Sequence, residues 1–253
     1  MANGIWGTRS KTSNDWQGQR RIDMTNNISP LVDVIIPVYN GERYLAQAIE
    51  SALAQTYRPV QVVVVDDGST DSSLQVAQQF SESISYCTQP NSGIASARNR
   101  GIDLARGEFL AFLDADDVWL NDKLARQMAV FHRDPELDMV FGQISQFASP
   151  ELEEVVKRKL RVPIEPMPGY SAGTMLIKRA SFLRVGLFET TWEIGEFVDW
   201  YAKAIEKGLR SAILAEVVTR RRLHDSNQGV RKRDSRMDYV RVLKAALDRR
   251  RQS

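Results

Sequence analysis

Residues 31–53 read LVDVIIPVYNGERYLAQAIESAL, and this stretch sets a pattern that the following residues repeat. The β-branched run at 31–38 is typical of a buried strand, and Tyr39, Asn40 and Gly41 form a turn signal directly after it. The apolar residues beyond the turn recur at helical spacing. The stretch therefore predicts a strand, a turn and a helix.

Two further repeats of this pattern follow. VQVVVV at 60–65 predicts a second strand, with DDGSTDSS as its turn and an amphipathic segment after it. A short strand near 84–87 leads into a helical segment at 94–105, and EFLAFLD at 108–114 predicts the next strand. Nearly apolar strands that alternate with helices are typical of α/β proteins. We therefore predict a mostly parallel sheet with helices on both faces.

The composition predicts a single domain and excludes several classes of protein. With 253 residues, of which 43% are hydrophobic, the chain can bury one substantial core. Its 34 Lys and Arg residues against 32 Asp and Glu residues give a net charge of +2, too balanced to bind nucleic acid through overall charge. The single cysteine, Cys87, excludes an intramolecular disulfide and fits a reducing compartment.

Both ends of the chain differ from the middle. Residues 1–30 are polar and lack the apolar centre of a secretion signal, which predicts a flexible arm. All apolar runs are shorter than the roughly 20 residues that span a bilayer, so we predict a cytoplasmic protein. Residues 233–253 predict a basic amphipathic helix that could pack on the domain, pair with another protein or rest on an anionic membrane surface. We expect packing, with peripheral contact to the inner face of a membrane as the alternative.

An acidic cluster ends the third repeat. In FLAFLDADDVW, residues 109–119, an apolar run meets Asp114, Asp116 and Asp117 within four residues. Carboxylates so close together repel one another unless a cation lies among them. Ligands bind at the carboxyl ends of parallel strands, where this cluster falls, and no Gly-rich phosphate-binding loop is present. The cluster therefore predicts a hard divalent cation, Mn²⁺ or Mg²⁺, that holds a phosphate.

Three segments also resemble a known family. They are VDVIIPVYNGERYLAQAIESALAQTY, VVVVDDGSTD and NSGIASARNRGIDLARGEFLAFLDADDVW, in this order. They are similar to the inverting family 2 glycosyltransferases of GT-A fold. The resemblance implies transfer of a sugar from a nucleoside-diphosphate donor to a hydroxyl acceptor on a glycan, lipid or peptide. It also implies that residues 31–120 form the nucleotide-sugar-binding half and residues 121–232 the acceptor and catalytic half.

The resemblance implies roles for individual residues beside the donor. At the end of the first strand, Pro37, Tyr39 and Asn40 would contact the base. Either Asp66 or Asp67, at the end of the second strand, would contact the base or the ribose, and Arg98 in the ASARN segment would lie near the nucleotide. LDADD matches the DXD motif, with Asp114 near the ribose or metal and Asp116 as a direct metal ligand. In the second half, Gly173 would back the donor sugar and His224 would complete the metal site. The neighbouring arginines Arg220, Arg221 and Arg222 suit pyrophosphate oxygens, and we single out Arg222.

The expected catalytic base is missing from its usual position. The resemblance implies Glu-Asp at the start of a helix, with the Asp as base, but this chain reads Gly195-Glu196-Phe197. Phenylalanine cannot accept a proton. Either Glu196 takes the role, Asp199 reaches in from the next turn, or the chain binds a donor without efficient transfer.

Other functions remain open on the sequence alone. The acids could cap a helix or act as the carboxylate pair of a glycoside hydrolase, although carboxylates so close along one turn do not face each other across a sugar. A nucleotidyltransferase also uses acidic strand ends and a divalent cation. A sugar-nucleotide-binding protein without a base is the alternative from a non-enzymatic class.

Overall fold

A computed structural model describes residues 29–153, 162–163, 165–224 and 237–252. Residues 1–28 of the predicted N-terminal arm therefore lie outside the described residues. Within the described ranges no helix is both long and apolar enough to cross a membrane.

In the described part of the chain, nine strands form one sheet. They are β1 (Val32–Val38), β2 (Val60–Asp66), β3 (Ser85–Thr88), β4 (Phe109–Phe112), β5 (Val118–Trp119), β6 (Met139–Ala148), β7 (Met167–Gly169), β8 (Leu176–Lys178) and β9 (Ser211–Leu223). The order across the sheet is β3-β2-β1-β4-β8-β6-β9-β5, and β7 pairs with β6.

The sheet is parallel in its first half and mixed in its second. Strands β1 to β4 pair in parallel, as the repeats predict. Strand β8 is antiparallel to β4 and β6, β5 is antiparallel to β9, and β7 is antiparallel to β6, whereas β6 and β9 run parallel. Parallel pairing needs a long crossover, and the strand–helix repeat ends at β4. The predicted α/β fold class is confirmed, but the parallel order does not extend through the whole sheet.

Helices cover both faces of this sheet. They are α1 (Leu45–Leu53), α2 (Ser73–Gln78), α3 (Ile94–Leu104), α4 (Lys123–Arg133), α5 (Arg179–Val185), α6 (Glu196–Glu206) and α7 (Met237–Gln252), with a short 3₁₀ helix at Ala172–Thr174. Successive residues of β1 contribute to different apolar clusters, because side chains alternate along a strand. Val34 and Ile36 pack with α1 and α4, whereas Ile35 packs with α3, α5 and α6. One domain with a core on each face results.

Helix α3 lies unusually close to β1. A Cβ atom built on Gly101 would lie 2.4 Å from Ile35 Cγ2, so this helix position needs a residue without a side chain. Arg98 precedes Gly101 by one helical turn and lies on the same side of α3. The close contact therefore holds Arg98 against the sheet.

Lys123 is a lysine that is buried in the core. It opens α4 and has no exposed surface. Its Nζ donates a hydrogen bond of 2.8 Å to Gln127 Oε1 and lies 4.1 Å from the centre of the Trp119 ring. Burial lowers the pKa of Lys123 well below that of an exposed lysine, because the charged form loses its hydration. Folding therefore favours the neutral amine.

This lowered pKa predicts a dependence of stability on pH. Between the folded pKa of Lys123 and about 10.4, the unfolded chain carries the proton and the folded chain does not, so stability rises with pH. Lys123→Met should remove this contribution, and the difference in unfolding free energy between wild type and variant should change by up to about 1.4 kcal/mol per pH unit in that window. Urea denaturation from neutral to alkaline pH measures it, with the exposed Lys244→Met as control. A difference that stays constant with pH would contradict the prediction.

Candidate active site

A cavity of about 1010 Å³ opens at the carboxyl ends of β1, β2 and β4. Most residues that the sequence analysis assigned to a site lie on its wall. They are Pro37, Tyr39, Asn40, Asp67, Arg98, Asp114, Asp116, Gly173, Glu196 and His224. A separate surface depression of about 820 Å³ beside α4 and β9 contains none of them.

The loops after β1 and β2 hold each other at one end of the cavity. The backbone N–H of Asn40 donates to Ser69 Oγ at 2.9 Å, and Asn40 Oδ1 accepts the N–H of Thr70 at 2.8 Å. Asn40 has a φ of 52°, a conformation that asparagine tolerates better than most residues. Tyr39 is 51% exposed and stands at the rim, where its ring can stack on a flat ligand.

Of the two aspartates at the end of β2, Asp66 and Asp67, only Asp67 borders the cavity. Asp67 accepts hydrogen bonds from the backbone N–H groups of Ser92 and Gly93, at 2.9 and 2.8 Å, at the start of α3. Asp66 instead points into its own turn, where Oδ1 accepts the N–H of Ser69 at 3.1 Å. The sequence left the choice open between these two, and the structure brings Asp67 to the wall.

Arg98 joins the two halves of the cavity wall. Its guanidinium, which is almost completely buried, donates to Asp114 Oδ1 at 2.7 Å through one nitrogen and to Glu196 Oε1 through another. Burial acts to lower the pKa of Arg98, but the charges of Asp114 and Glu196 outweigh burial and raise it. The guanidinium is therefore a fixed cation that positions one carboxylate after β4 and one at the start of α6.

Asp116 and His224 also meet at the cavity wall. His224 Nε2 lies 3.0 Å from Asp116 Oδ2, and the imidazole ring packs on Tyr44 with 4.8 Å between ring centres. The neighbouring Asp117 is buried, and its Oδ1 accepts the backbone N–H of Arg222 at 3.0 Å. Burial, then the charges of Asp116 and Asp114, raise the pKa of Asp117 well above its usual value. Asp114, Asp116 and Asp117 thus concentrate carboxylate groups in this region, where Arg98 pairs with Asp114.

Arg222 does not lie on the cavity wall. Its guanidinium lies 4.6 Å from the ring centres of both Tyr44 and Phe147, and its Nε donates to the backbone oxygen of Asp116 at 3.0 Å. Arg221 lines the cavity instead. Neighbouring residues of a strand point to opposite faces, so the register of β9 decides which arginine reaches a ligand. Arg222 braces the wall, and the residue available to a phosphate is Arg221.

Asp199 is also absent from the wall. Its side chain is 2% exposed and lies 2.7 Å from Lys203 Nζ and 3.3 Å from Arg249 Nη1. Arg249 belongs to α7, which packs over this side of α6. A position three residues after Glu196 would face the cavity on an isolated helix, but α7 covers it. Asp199 is therefore paired with Lys203 and Arg249 and does not border the cavity, so Glu196 is the better candidate for the base.

Phe197 forms part of the aromatic core and of the cavity wall. Its ring stacks on Tyr201 and Trp200, at 5.9 and 6.4 Å between centres, and meets Phe141 edge-on at 6.3 Å. Glu196 is therefore the acidic residue of this helix start that borders the cavity. Tyr44 and Tyr239 also line the wall, although no motif in the sequence assigned either tyrosine a role.

Gly173 leaves space in the cavity wall. A Cβ atom added there would meet nothing closer than Ser171 Oγ at 4.0 Å. Its carbonyl oxygen accepts hydrogen bonds from Trp119 Nε1 at 2.9 Å and Thr219 Oγ1 at 3.1 Å. The backbone is thus fixed in place while its cavity side stays open to a ligand.

Comparison with known proteins identifies the family. The sequence matches the family model described as Glycosyl transferase family 2 over residues 33–188. The chain belongs to this family. It is 32% identical over 214 residues to an uncharacterized glycosyltransferase of Rickettsia typhi, covering 79% of this chain and 66% of that protein. A second from Rickettsia prowazekii is 33% identical over 192 residues, covering 71% and 60% respectively. The chain thus spans about two thirds or less of the length of these relatives.

Two solved structures illustrate the similarity of fold. S. aureus TarS 1-349 in complex with UDP has a TM-score of 0.62 and 22% identity, covering 77% of this chain and 61% of that chain. The mannosyltransferase PcManGT from Pyrobaculum calidifontis, in complex with GDP-Man and Mn²⁺, has a TM-score of 0.59 and 24% identity, covering 79% and 59%. The predicted family and the predicted GT-A fold are confirmed.

The charge of this family 2 cavity favours a divalent cation. Acidic residues on the wall outnumber basic ones: Glu42, Asp67, Asp71, Asp114, Asp116, Asp117 and Glu196 against Arg43, Arg98 and Arg221. A diphosphate is itself an anion and would be repelled without a counterion. No group of three or more His, Cys, Asp or Glu residues in the described part of the chain is placed to hold a metal. Asp116 and His224 nevertheless fit a site of the kind that takes one or two protein ligands and completes its shell with phosphate oxygens.

The buried Arg98 bridge predicts a large loss of stability when it is removed. Arg98→Met should leave the Glu196 carboxylate buried without its guanidinium partner and lower the free energy of unfolding by about 3 kcal/mol. Arg126→Met is the matched control, because Arg126 pairs with Asp122 at 2.6 Å on the exposed surface and should cost less than about 1 kcal/mol. Urea denaturation of both variants measures the difference. Equal losses would mean that the bridge does not hold the wall together.

Proposed function

We propose that this protein is a metal-dependent inverting glycosyltransferase that moves a sugar from a nucleoside-diphosphate donor to a hydroxyl acceptor. The observation that carries the proposal is that Asp116, His224 and Glu196 face one acidic cavity at the carboxyl ends of the parallel strands. The ligands of similar structures support the donor class, since TarS has been solved with UDP and with UDP-GlcNAc, and PcManGT with GDP-Man and Mn²⁺. A cytoplasmic location is part of the same proposal.

The end of the cavity formed by the first strands would bind the nucleotide. Tyr39 is exposed at the rim beside Pro37 and Asn40, and this group would contact the base. Asp67 lies deeper, where it would meet the base or the ribose. Gly173 offers its open backbone to the donor sugar.

The DXD segment would hold the diphosphate through the cation. Asp116 and His224 would be its protein ligands, with Asp114 close by on Arg98. When bound, Mn²⁺ or Mg²⁺ supplies Lewis-acid stabilisation of the charge on the departing nucleoside diphosphate. Arg221 adds a fixed positive charge on the same wall.

Glu196 would act as the base. In a single displacement the acceptor oxygen bonds to the anomeric carbon while the bond from that carbon to the diphosphate oxygen breaks, and the electron pair leaves with the diphosphate. The acceptor proton passes to Glu196. Attack from the side opposite the leaving group inverts the anomeric centre. A carboxylate has two acceptor oxygens, and Arg98 donates to Oε1, so this contact orients Glu196.

A sugar-nucleotide-binding protein without transferase activity is the second candidate. The observation that favours it is Phe197, which fills the place of the expected aspartate and is packed into the aromatic core. Such a protein would bind donor nucleotides as the first candidate does but would not release a nucleoside diphosphate. Membership of family 2 favours sugar transfer over nucleotidyl transfer.

The metal assignment predicts that Asp116→Asn weakens metal-dependent nucleotide binding. Calorimetric titration with UDP and with GDP, each with and without Mn²⁺, should show Mn²⁺-dependent binding by the wild type that weakens by roughly tenfold or more in the variant, as expected for loss of a metal ligand or its hydrogen-bond partner. Asp122→Asn is the control, since Asp122 lies outside the cavity and pairs with Arg126. Unchanged affinity in Asp116→Asn would refute the assignment.

The base assignment predicts different effects for the two acids of α6. Glu196→Gln should lower kcat for nucleoside-diphosphate release by about a hundredfold or more with little change in the donor KM. Asp199→Asn should lower the melting temperature, because it breaks contacts to Lys203 and Arg249, without changing the pH profile of the rate.

A screen of nucleotide sugars with a cell extract as the acceptor source identifies the substrates. Full activity of Glu196→Gln would overturn the base assignment, whereas donor binding with no release by the wild type would favour the binding protein.

A further inference from the structure

Helix α7 carries a row of exposed aliphatic side chains on its outward face. Val240, Leu243 and Leu247 are 55, 57 and 54% exposed. Their spacing of three and four residues places them on one side of the helix. This set is called the aliphatic row below.

The opposite face of α7 holds the helix against the domain. Val242 is fully buried, and Asp238 Oδ2 accepts the backbone N–H of Glu193 at 3.2 Å. Arg249 donates to Asp199 at 3.3 Å and to Glu206 at 2.9 Å. One side of the helix therefore packs against the domain. The aliphatic row is a second apolar surface, and it is exposed.

Basic residues flank the aliphatic row. Residues 237–252 contain five basic and two acidic residues, a net charge of +3. Lys244 lies four residues after Val240 and Arg251 four residues after Leu247, so each is a neighbour of the row on the helix surface. Both are exposed. The surface thus combines an apolar row with positive charge.

We propose that α7 docks the protein on an anionic lipid bilayer, with the aliphatic row in the interface and the basic residues on the headgroups. Helices that lie in a bilayer surface combine an apolar face with Lys and Arg in this way, and basic residues near an anionic surface add to the binding. A second copy of this chain is a poorer occupant, because pairing two such helices along the row would bring together two charges of +3.

The docked helix would place the rim of the cavity at the bilayer surface. Tyr239 directly precedes Val240 and lines the cavity together with Tyr170 and Val198, and all three are exposed. The cavity lining therefore includes three exposed residues with large aromatic or aliphatic side chains. In one respect the inference rests on the proposed function: if the cavity transfers a sugar, the acceptor hydroxyl belongs to a lipid presented at that surface.

Sedimentation of the full chain with lipid vesicles tests the docking without any step of catalysis. The wild type should bind vesicles of equal parts phosphatidylcholine and phosphatidylglycerol, in the absence of metal, and bind phosphatidylcholine vesicles weakly. Added salt should weaken the binding because it screens the basic residues. Leu243→Ser with Leu247→Ser, and separately Lys244→Glu with Arg251→Glu, should each weaken it by about tenfold or more.

A matched control replaces exposed apolar residues elsewhere. Tyr86→Ser with Ile213→Ser changes exposed side chains of β3 and β9 and should bind vesicles like the wild type. Circular dichroism confirms that each variant is folded. Calorimetric binding of UDP or GDP with Mn²⁺ should be the same in both α7 variants as in the wild type, so failure of docking and failure of the proposed function are read separately.

Three results would overturn the proposal. They are no binding of the wild type to anionic vesicles, equal binding to both kinds of vesicle, and unchanged binding in the two α7 variants. Light scattering distinguishes the other occupant: a dimer that disappears in Leu243→Ser with Leu247→Ser, without vesicle binding, would assign the aliphatic row to a second copy.

Discussion

The candidate site depends on the hydrogen-bonded ion pairs that the buried guanidinium of Arg98 forms with Asp114 and Glu196. A charge that is taken out of water is costly unless it is paired and hydrogen-bonded, and Arg98 meets this condition through Asp114 and Glu196. One of these carboxylates follows β4 in the parallel half of the sheet, and the other begins α6 in the mixed half. The two halves cannot move apart without leaving a buried charge unpaired. The cavity between them therefore has a defined shape.

Negative charge explains much of the remaining chemistry of the cavity. Acidic side chains dominate the wall, so under the proposed function an anionic donor would need a cation that arrives with it or before it. Asp116 and His224 already point at each other across 3.0 Å, which makes them a preformed pair for such an ion. Their surroundings hold them in place, since Tyr44 packs on the imidazole and Arg222 bonds to the backbone of Asp116. Residues that contact no ligand thus set the geometry of those that would.

Helix α7 connects the cavity wall around Glu196 to the surface of the protein. Its inner face covers Asp199 and fixes α6, which carries Glu196. Its first turn brings Tyr239 to the rim of the cavity. The positioning of the candidate base and the character of the outer surface therefore depend on the same helix, which lies outside the part of the sequence that matches the family model.

Local periodicity determined the strands and helices of the first half, and with them the edge of the sheet at which Tyr39 and the DXD acids gather. These features follow from residues close together in the sequence. Tertiary structure alone decided that Arg221 rather than Arg222 faces the cavity, because the register of β9 sets that choice. It also decided that Glu196 borders the cavity while Asp199 does not, since a helix some fifty residues later covers the latter. Strand register and long-range packing leave no signal in the local sequence. For this physical reason the sequence alone could not decide which arginine and which acid face the cavity.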